Sequence, residues 1–193
     1  MKIYISTDLE GATGVFKFAQ TREKGTPPFL EAFRLLMGDI AAVAEGLKQA
    51  GVDEIYALDG HDGGNNFPPE FMEPGVRYIT GMPRPRQAML DESVDGMILL
   101  GFHAMNGTED GVLHHTQSSK AEAKYWYDGV ERGELYQEAV IAGHFGVPIM
   151  MVTGDEAVCR EAKNTLGDDV VTVTVKKGLS REAAVLILSL IHI

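Results

Sequence analysis

Residues 4–15 read YISTDLEGATGV, a strand-forming run that stops abruptly at two carboxylates, Asp8 and Glu10, followed by Gly11. In an extended chain, residues two apart point to the same side. Asp8 and Glu10 then crowd two negative charges onto one face, which disfavours their joint ionisation. A positive partner seated between them would relieve that repulsion. The stretch therefore predicts a first strand that ends in cation-binding chemistry.

Working outward, strand and helix patterns alternate. FLEAFRLLMGDIAAVAEGLKQAG (29–51) sets Phe29, Phe33, Leu36, Ile40, Val43 and Leu47 at three-to-four spacing and closes on Gly51, which predicts an amphipathic helix. EIYALD (54–59), GMILLGFHA (96–104), PIMMVTGD (148–155) and VVTVTVK (170–176) read as strands. ELYQEAVIAGHFG (134–146) and a segment near 156–165 read as helices, and the proline-rich GTPPF and MPRPRQ as loops. The alternation predicts an α/β fold: a mostly parallel sheet, helices on both faces, and a site at the carboxyl ends of the strands.

A chain of 193 residues accommodates one sizeable α/β domain. The formal net charge of −11 argues against a nucleic-acid or anionic-membrane surface, since both need basic patches. No apolar run reaches the roughly 20 residues that cross a bilayer. The start, MKIYIST, enters a strand without a signal peptide's apolar core, and Cys159 is the single cysteine. Both features predict a cytoplasmic protein.

The end, SREAAVLILSLIHI, starts as a capped helix at Ser180 and Glu182 and then breaks off in an apolar string. LSLIHI is also what a common transposon-end sequencing adapter encodes in one frame. The expectation is one α/β metallohydrolase domain over 1–187, incomplete at its C-terminus, with 188–193 a non-native tail in which His192 carries no functional weight.

Each strong strand ends in polar chemistry. The first ends at Asp8 and Glu10, the second at Asp59 and His61, and the third at His103. GVLHHTQ adds His114 and His115, and Glu134 opens a predicted helix. Carboxylates and imidazoles at one rim form a ligand set for zinc, with manganese or iron also suited. Two divalent ions bring four positive charges. Three carboxylates and a bridging hydroxide would cancel them, whereas one ion would leave the cluster anionic. Bland readings stand beside these. Asp8 can cap a helix, Asp59 can merely orient His61, and His103 can be an ordinary buried histidine. His144 suits the dipole at a helix end, and Glu134 and Glu138 can be surface acids.

DLEG, DGH, GFHA, GVLHH and GEL, in that order, resemble the zinc-dependent D-aminopeptidases of the bacterial dipeptide-operon type, from Lys2 to about Ser180. The resemblance implies metal ligands at Asp8, Glu10, His61, His103 and Glu134, two Zn²⁺ per subunit bridged by the aspartate, and a catalytic histidine at His115, with His114 as a rival. It implies hydrolysis of short peptides with an N-terminal D-amino acid by a metal-activated water, His115 assisting. It also implies self-association into a ring-like homo-oligomer, a decamer. The competing readings are a binuclear hydrolase of another amide or of a phosphoester, and a non-catalytic α/β module that binds a small molecule. The phosphoester reading lacks an obvious cationic clamp, because Lys17, Arg22 and Lys24 fall in a segment read as flexible.

Overall fold

Period-two alternation splits the first strand, β1 (Lys2–Thr7), between two cores. Ile3 and Ile5 join a cluster with Phe33, Leu36 and Ile40, while Tyr4 joins another with Leu135, Ala142 and Val158. A parallel sheet needs this cover on both faces. Among the largest wholly buried side chains are Leu36 and Ile40, each worth about 2 kcal/mol of apolar transfer.

The computed structural model describes residues 1–187. After β1 come α1 (Ala19–Arg22), α2 (Pro27–Gln49), β2 (Glu54–Asp59), a 3-10 turn (Pro69–Phe71), β3 (Val76–Ile79), β4 (Gly96–Phe102), β5 (Tyr125–Tyr127) and β6 (Val130–Arg132). Then follow α3 (Glu134–His144), β7 (Ile149–Asp155), α4 (Glu156–Leu166), β8 (Val171–Ser180) and β9 (Ala183–Leu186). The main sheet runs β3-β2-β1-β4-β7-β8-β9 and is parallel except for β9; β5 and β6 form a separate hairpin. Helix α2 covers one face, and α3 and α4 the other. No helix among the described residues is long and apolar enough to cross a membrane.

The first strand in sequence is thus central in space, with β2 and β4 as its neighbours. The carboxyl ends of all three meet at one edge, at the place where the strand order reverses. The approach there is tight. Asp8 N donates to Leu100 O at 2.8 Å and Gly11 N to Gly101 O at 2.7 Å. A Cβ on Gly11 would fall 1.9 Å from Phe102 O, and one on Gly101, at φ +74°, 2.3 Å from Asp8 O. Only glycine tolerates both that φ and that proximity.

Three expectations change. The region beyond Ser180 is a strand, not a helix: β9 returns antiparallel to β8, pairing Lys176 with Leu186 and Gly178 with Ala184. The turn between them is fixed elsewhere, since Leu113 N donates to Arg181 O and Phe18 N to the Glu182 carboxylate. Tertiary pairing there overrides local helix propensity. The segment around Arg22 contains the short helix α1 rather than a flexible stretch. Pro27 and Pro28 open α2 instead of lying in a loop, because proline's missing N–H costs nothing in a first turn. The expected tail at 188–193 lies outside the described residues.

Gly101→Ala will lower unfolding stability more than Gly25→Ala. Gly25 shares the positive φ, but nothing lies within 4 Å of its Cβ position. Gly25→Ala meets only the left-handed backbone cost of about 1–2 kcal/mol, whereas Gly101→Ala adds about 1–3 kcal/mol of overpacking. Equal urea midpoints for the two variants would show that the close approach is not a constraint.

Candidate metal centre

β1 stops at Thr7, so Asp8 and Glu10 do not share a strand face as the spacing suggested. They sit on a turn that buries Leu9 between them, and both carboxylates still reach the rim. Asp8 Oδ1 accepts from Leu9 N at 2.8 Å. The turn is held from beneath by Lys176 of β8, which is fully buried. Its Nζ donates to Glu10 O at 2.6 Å, to Ala12 O at 2.9 Å and to Val15 O. Sequence patterning did not single out this lysine.

The other side chains arrive from separate elements. His61 follows β2, His103 follows β4, and Glu134 is the first residue of α3. Asp59 acts on His61 through an intermediary: its carboxylate accepts from Asn66 N and Nδ2, and Asn66 Nδ2 also donates to His61 O. Glu138, one turn beyond Glu134, is partly buried and accepts from Gln87 Nε2 at 3.0 Å, so it is no free surface acid. His144 stands in the last turn of α3, as its dipole favours.

His103 Nε2 faces Asp8 Oδ2 at 3.3 Å and Glu134 Oε1 at 3.4 Å, and His61 Nε2 faces Glu10 Oε1 at 3.3 Å. His103 Nδ1 lies 2.9 Å from Ala104 O and His115 Nδ1 2.8 Å from Leu113 O. A donated Nδ1–H leaves Nε2 as the lone-pair nitrogen aimed at the cluster, the arrangement metal-binding histidines use. His115 stacks on His103 at 3.9 Å between ring centroids and lies 3.9 Å from Glu134 Oε1. His114 turns elsewhere: its Nδ1 accepts from Gly107 N at 3.1 Å.

Two triplets bring their ligand atoms within 4.8 Å of one another, Asp8–Glu10–His103 and His103–His115–Glu134. Buried Glu10 Oε2 and His61 Nδ1 have no hydrogen-bond partner. Orphaned ligand atoms beside clustered acids and imidazoles fit one or more divalent cations. The electrostatics agree. Burial and the charge of Glu10 push Asp8 up to about 6. Burial opposes the charged forms of Glu10 and His61, but their mutual attraction prevails, holding Glu10 well below its usual range and lifting His61 to about 9. His103 likewise rises against burial through its bonds to Asp8 and Glu134. Burial and then the charge of His103 push His115 down to about 4.

Asp8, Glu10, His61, His115 and Glu134 line a cleft of about 470 Å³. Arg22, Lys24, Arg86 and Lys120 line it too, so the rim does not lack cations. Arg86 lies in the MPRPRQ loop, where sequence gave no functional signal beyond its prolines.

The profile of the peptidase M55 family, the D-aminopeptidases, matches residues 1–189. A D-aminopeptidase of Bacillus subtilis (strain 168) is 32% identical over 189 residues, covering 95% of this chain and 66% of that protein. A solved structure, the Zn-dependent D-aminopeptidase DppA from Bacillus subtilis, a self-compartmentalizing protease, superposes with a TM-score of 0.89 at 29% identity. That match covers 96% of this chain and 67% of DppA. The chain thus spans about two thirds of the length of these relatives. With the profile matched almost end to end and the fold superposed, the chain belongs to the D-aminopeptidase family of peptidases.

Proposed function

We propose that this chain forms the metal-binding catalytic unit of a zinc-dependent aminopeptidase acting on short peptides with an N-terminal D-amino acid. The observation that carries the reading is the meeting of Asp8, Glu10, His61, His103 and Glu134 at one rim, with Glu10 Oε2 and His61 Nδ1 buried and unpaired. These five residues would hold two zinc ions. Zinc bound there supplies an acidified water, with a pKa near ~7, and a Lewis acid that polarises the scissile carbonyl.

The chain's own groups do the rest. Asp8, Glu10 and Glu134 line the cleft where a peptide's free amino group would approach the metal-holding rim. Stacking on His103 and the bond from Nδ1 to Leu113 O orient the His115 ring. Held neutral by burial, His115 can take a proton at Nε2 and pass it to the leaving amine. The D preference rests on the family alone.

Self-association into a ring-like homo-oligomer, a decamer, and a cytoplasmic location belong to the same proposal. DppA's self-compartmentalization supports the assembly. Residues 1–187 are read as a single α/β unit. A second reading, phosphoester hydrolysis, is favoured by one observation: four cations line the cleft. Turnover of p-nitrophenyl phosphate with no peptide hydrolysis would establish it instead.

Elemental analysis will give about two zinc ions per chain, with most of that zinc lost in Asp8→Ala at unchanged circular dichroism; zinc retained in the variant would remove Asp8 from the ligand set. His115→Ala will keep its zinc while kcat on a D-aminoacyl dipeptide falls ~10²–10⁴-fold. Joint loss of zinc and turnover would make His115 a ligand. Light scattering will report a mass many times that of one chain, and a single-chain mass would refute the ring.

A further inference from the structure

The cleft is lined by cations as well as by acids, and the proposed chemistry uses none of the cations. Among the described residues lining it there is no aliphatic or aromatic side chain, so charge and hydrogen bonding must do the selecting. The four cations are not equivalent. Lys24 is spent on Asp62 at 2.7 Å, and Lys120 stands exposed at the rim. Arg22 lies flat against the Phe18 ring, 3.3 Å from its centroid, and donates to both Ser119 Oγ and Ser119 O.

Arg86 differs. Its Nη2 donates to Gly60 O, next to His61, at 2.5 Å, while its Nη1 is buried without a partner. A buried guanidinium N–H left unpaired costs on the order of 1–3 kcal/mol. The cost makes sense if that group pairs with something that enters the cleft. Guanidinium presents a planar fork of donors that matches a carboxylate. A short peptide is a zwitterion, with an ammonium group that suits Asp8, Glu10 and Glu134 and a carboxylate one or two residues away. A cleft of about 470 Å³ suits a ligand of that size.

Building on the aminopeptidase reading, we infer that Arg86 forms a subsite for the C-terminal carboxylate of the substrate. The enzyme is then a peptidase of free di- and tripeptides, and capped or long peptides are poor substrates. Arg86 also acts electrostatically on partly buried Glu138 and buried Tyr4, so the test has to separate recognition from support of the fold.

The zinc-loaded chain would be assayed with D-alanylglycine and with its C-terminal amide, which differ only in the charge at issue. The wild type will prefer the free acid at least tenfold in kcat/KM. Arg86→Met will bring the ratio near one, and Arg86→Lys will restore part of it. A purely structural role would lower both substrates alike and leave the ratio intact, which overturns the subsite. Equal rates on acid and amide in the wild type also overturn it, while leaving the aminopeptidase reading standing.

If neither compound is hydrolysed, calorimetry of the metal-free protein with the same pair decides. Acid bound at least tenfold tighter than amide, with the difference lost in Arg86→Met, upholds the subsite and sinks the peptidase reading. Equal or absent binding sinks both. Turnover of p-nitrophenyl phosphate that is lost in Arg86→Met would assign the subsite to a phosphoryl group and overturn the carboxylate.

Discussion

The rim depends on one buried cation. Taking an ammonium group out of water costs several kcal/mol, and burial draws Lys176 down to about 8 against the pull of Asp155, Asp39, Glu10 and Asp8. Three backbone carbonyls receive its protons, all on the Glu10–Val15 turn. That turn leaves β1 and crosses the end of β4, where Gly11 and Gly101 allow backbone to touch backbone. The lysine comes from β8, three places from β1 in the sheet, on the far side of β4 and β7. An irregular turn thereby gains the rigidity of the sheet, and its two carboxylates are aimed before any ligand arrives.

His103 is the pivot of the charges above that turn. Its Nδ1 side is fixed by Ala104 O, its Nε2 looks at acids from both sides, and its face carries His115. Both metal-compatible triplets include it. Its surroundings are correspondingly rigid: the residue is 2% exposed, and the strand before it is buried throughout. A change at His103 would disturb both halves of the cluster at once, whereas a change at His61 reaches only the Glu10 side.

How much of this was legible in the sequence follows from the range of the interactions involved. Strand ends and helix faces are local patterns, so β1, β2, β4, α2 and α3 could be read, and with them the positions of Asp8, His61, His103 and Glu134. The i,i+2 argument for Asp8 and Glu10 reached the right neighbourhood through the wrong geometry, because β1 ends at Thr7, before either residue. The β5–β6 hairpin does carry a local signal, Asp128-Gly129, and both residues take positive φ in its turn. Lys176 and Arg86 had none. A lysine at the end of a strand and an arginine among prolines mean nothing until folding brings them to Glu10 O and Gly60 O. The C-terminal segment went wrong for a related reason: its helical propensity is local, and its pairing with β8 is not.

The central place of β1 has one more consequence. The cluster draws on residues from position 8 to position 134, and its two innermost acids hang from the strand that is made first yet enclosed on both sides by later ones. The site needs β1, β2, β4 and α3 together, so uptake of an ion there would be coupled to folding. Any divalent ion that binds only the native state adds its own binding free energy to stability, about 4 kcal/mol at a thousandfold excess over its Kd. An ion held there would serve as a folding ligand, and the melting temperature of this protein would then follow its metal supply.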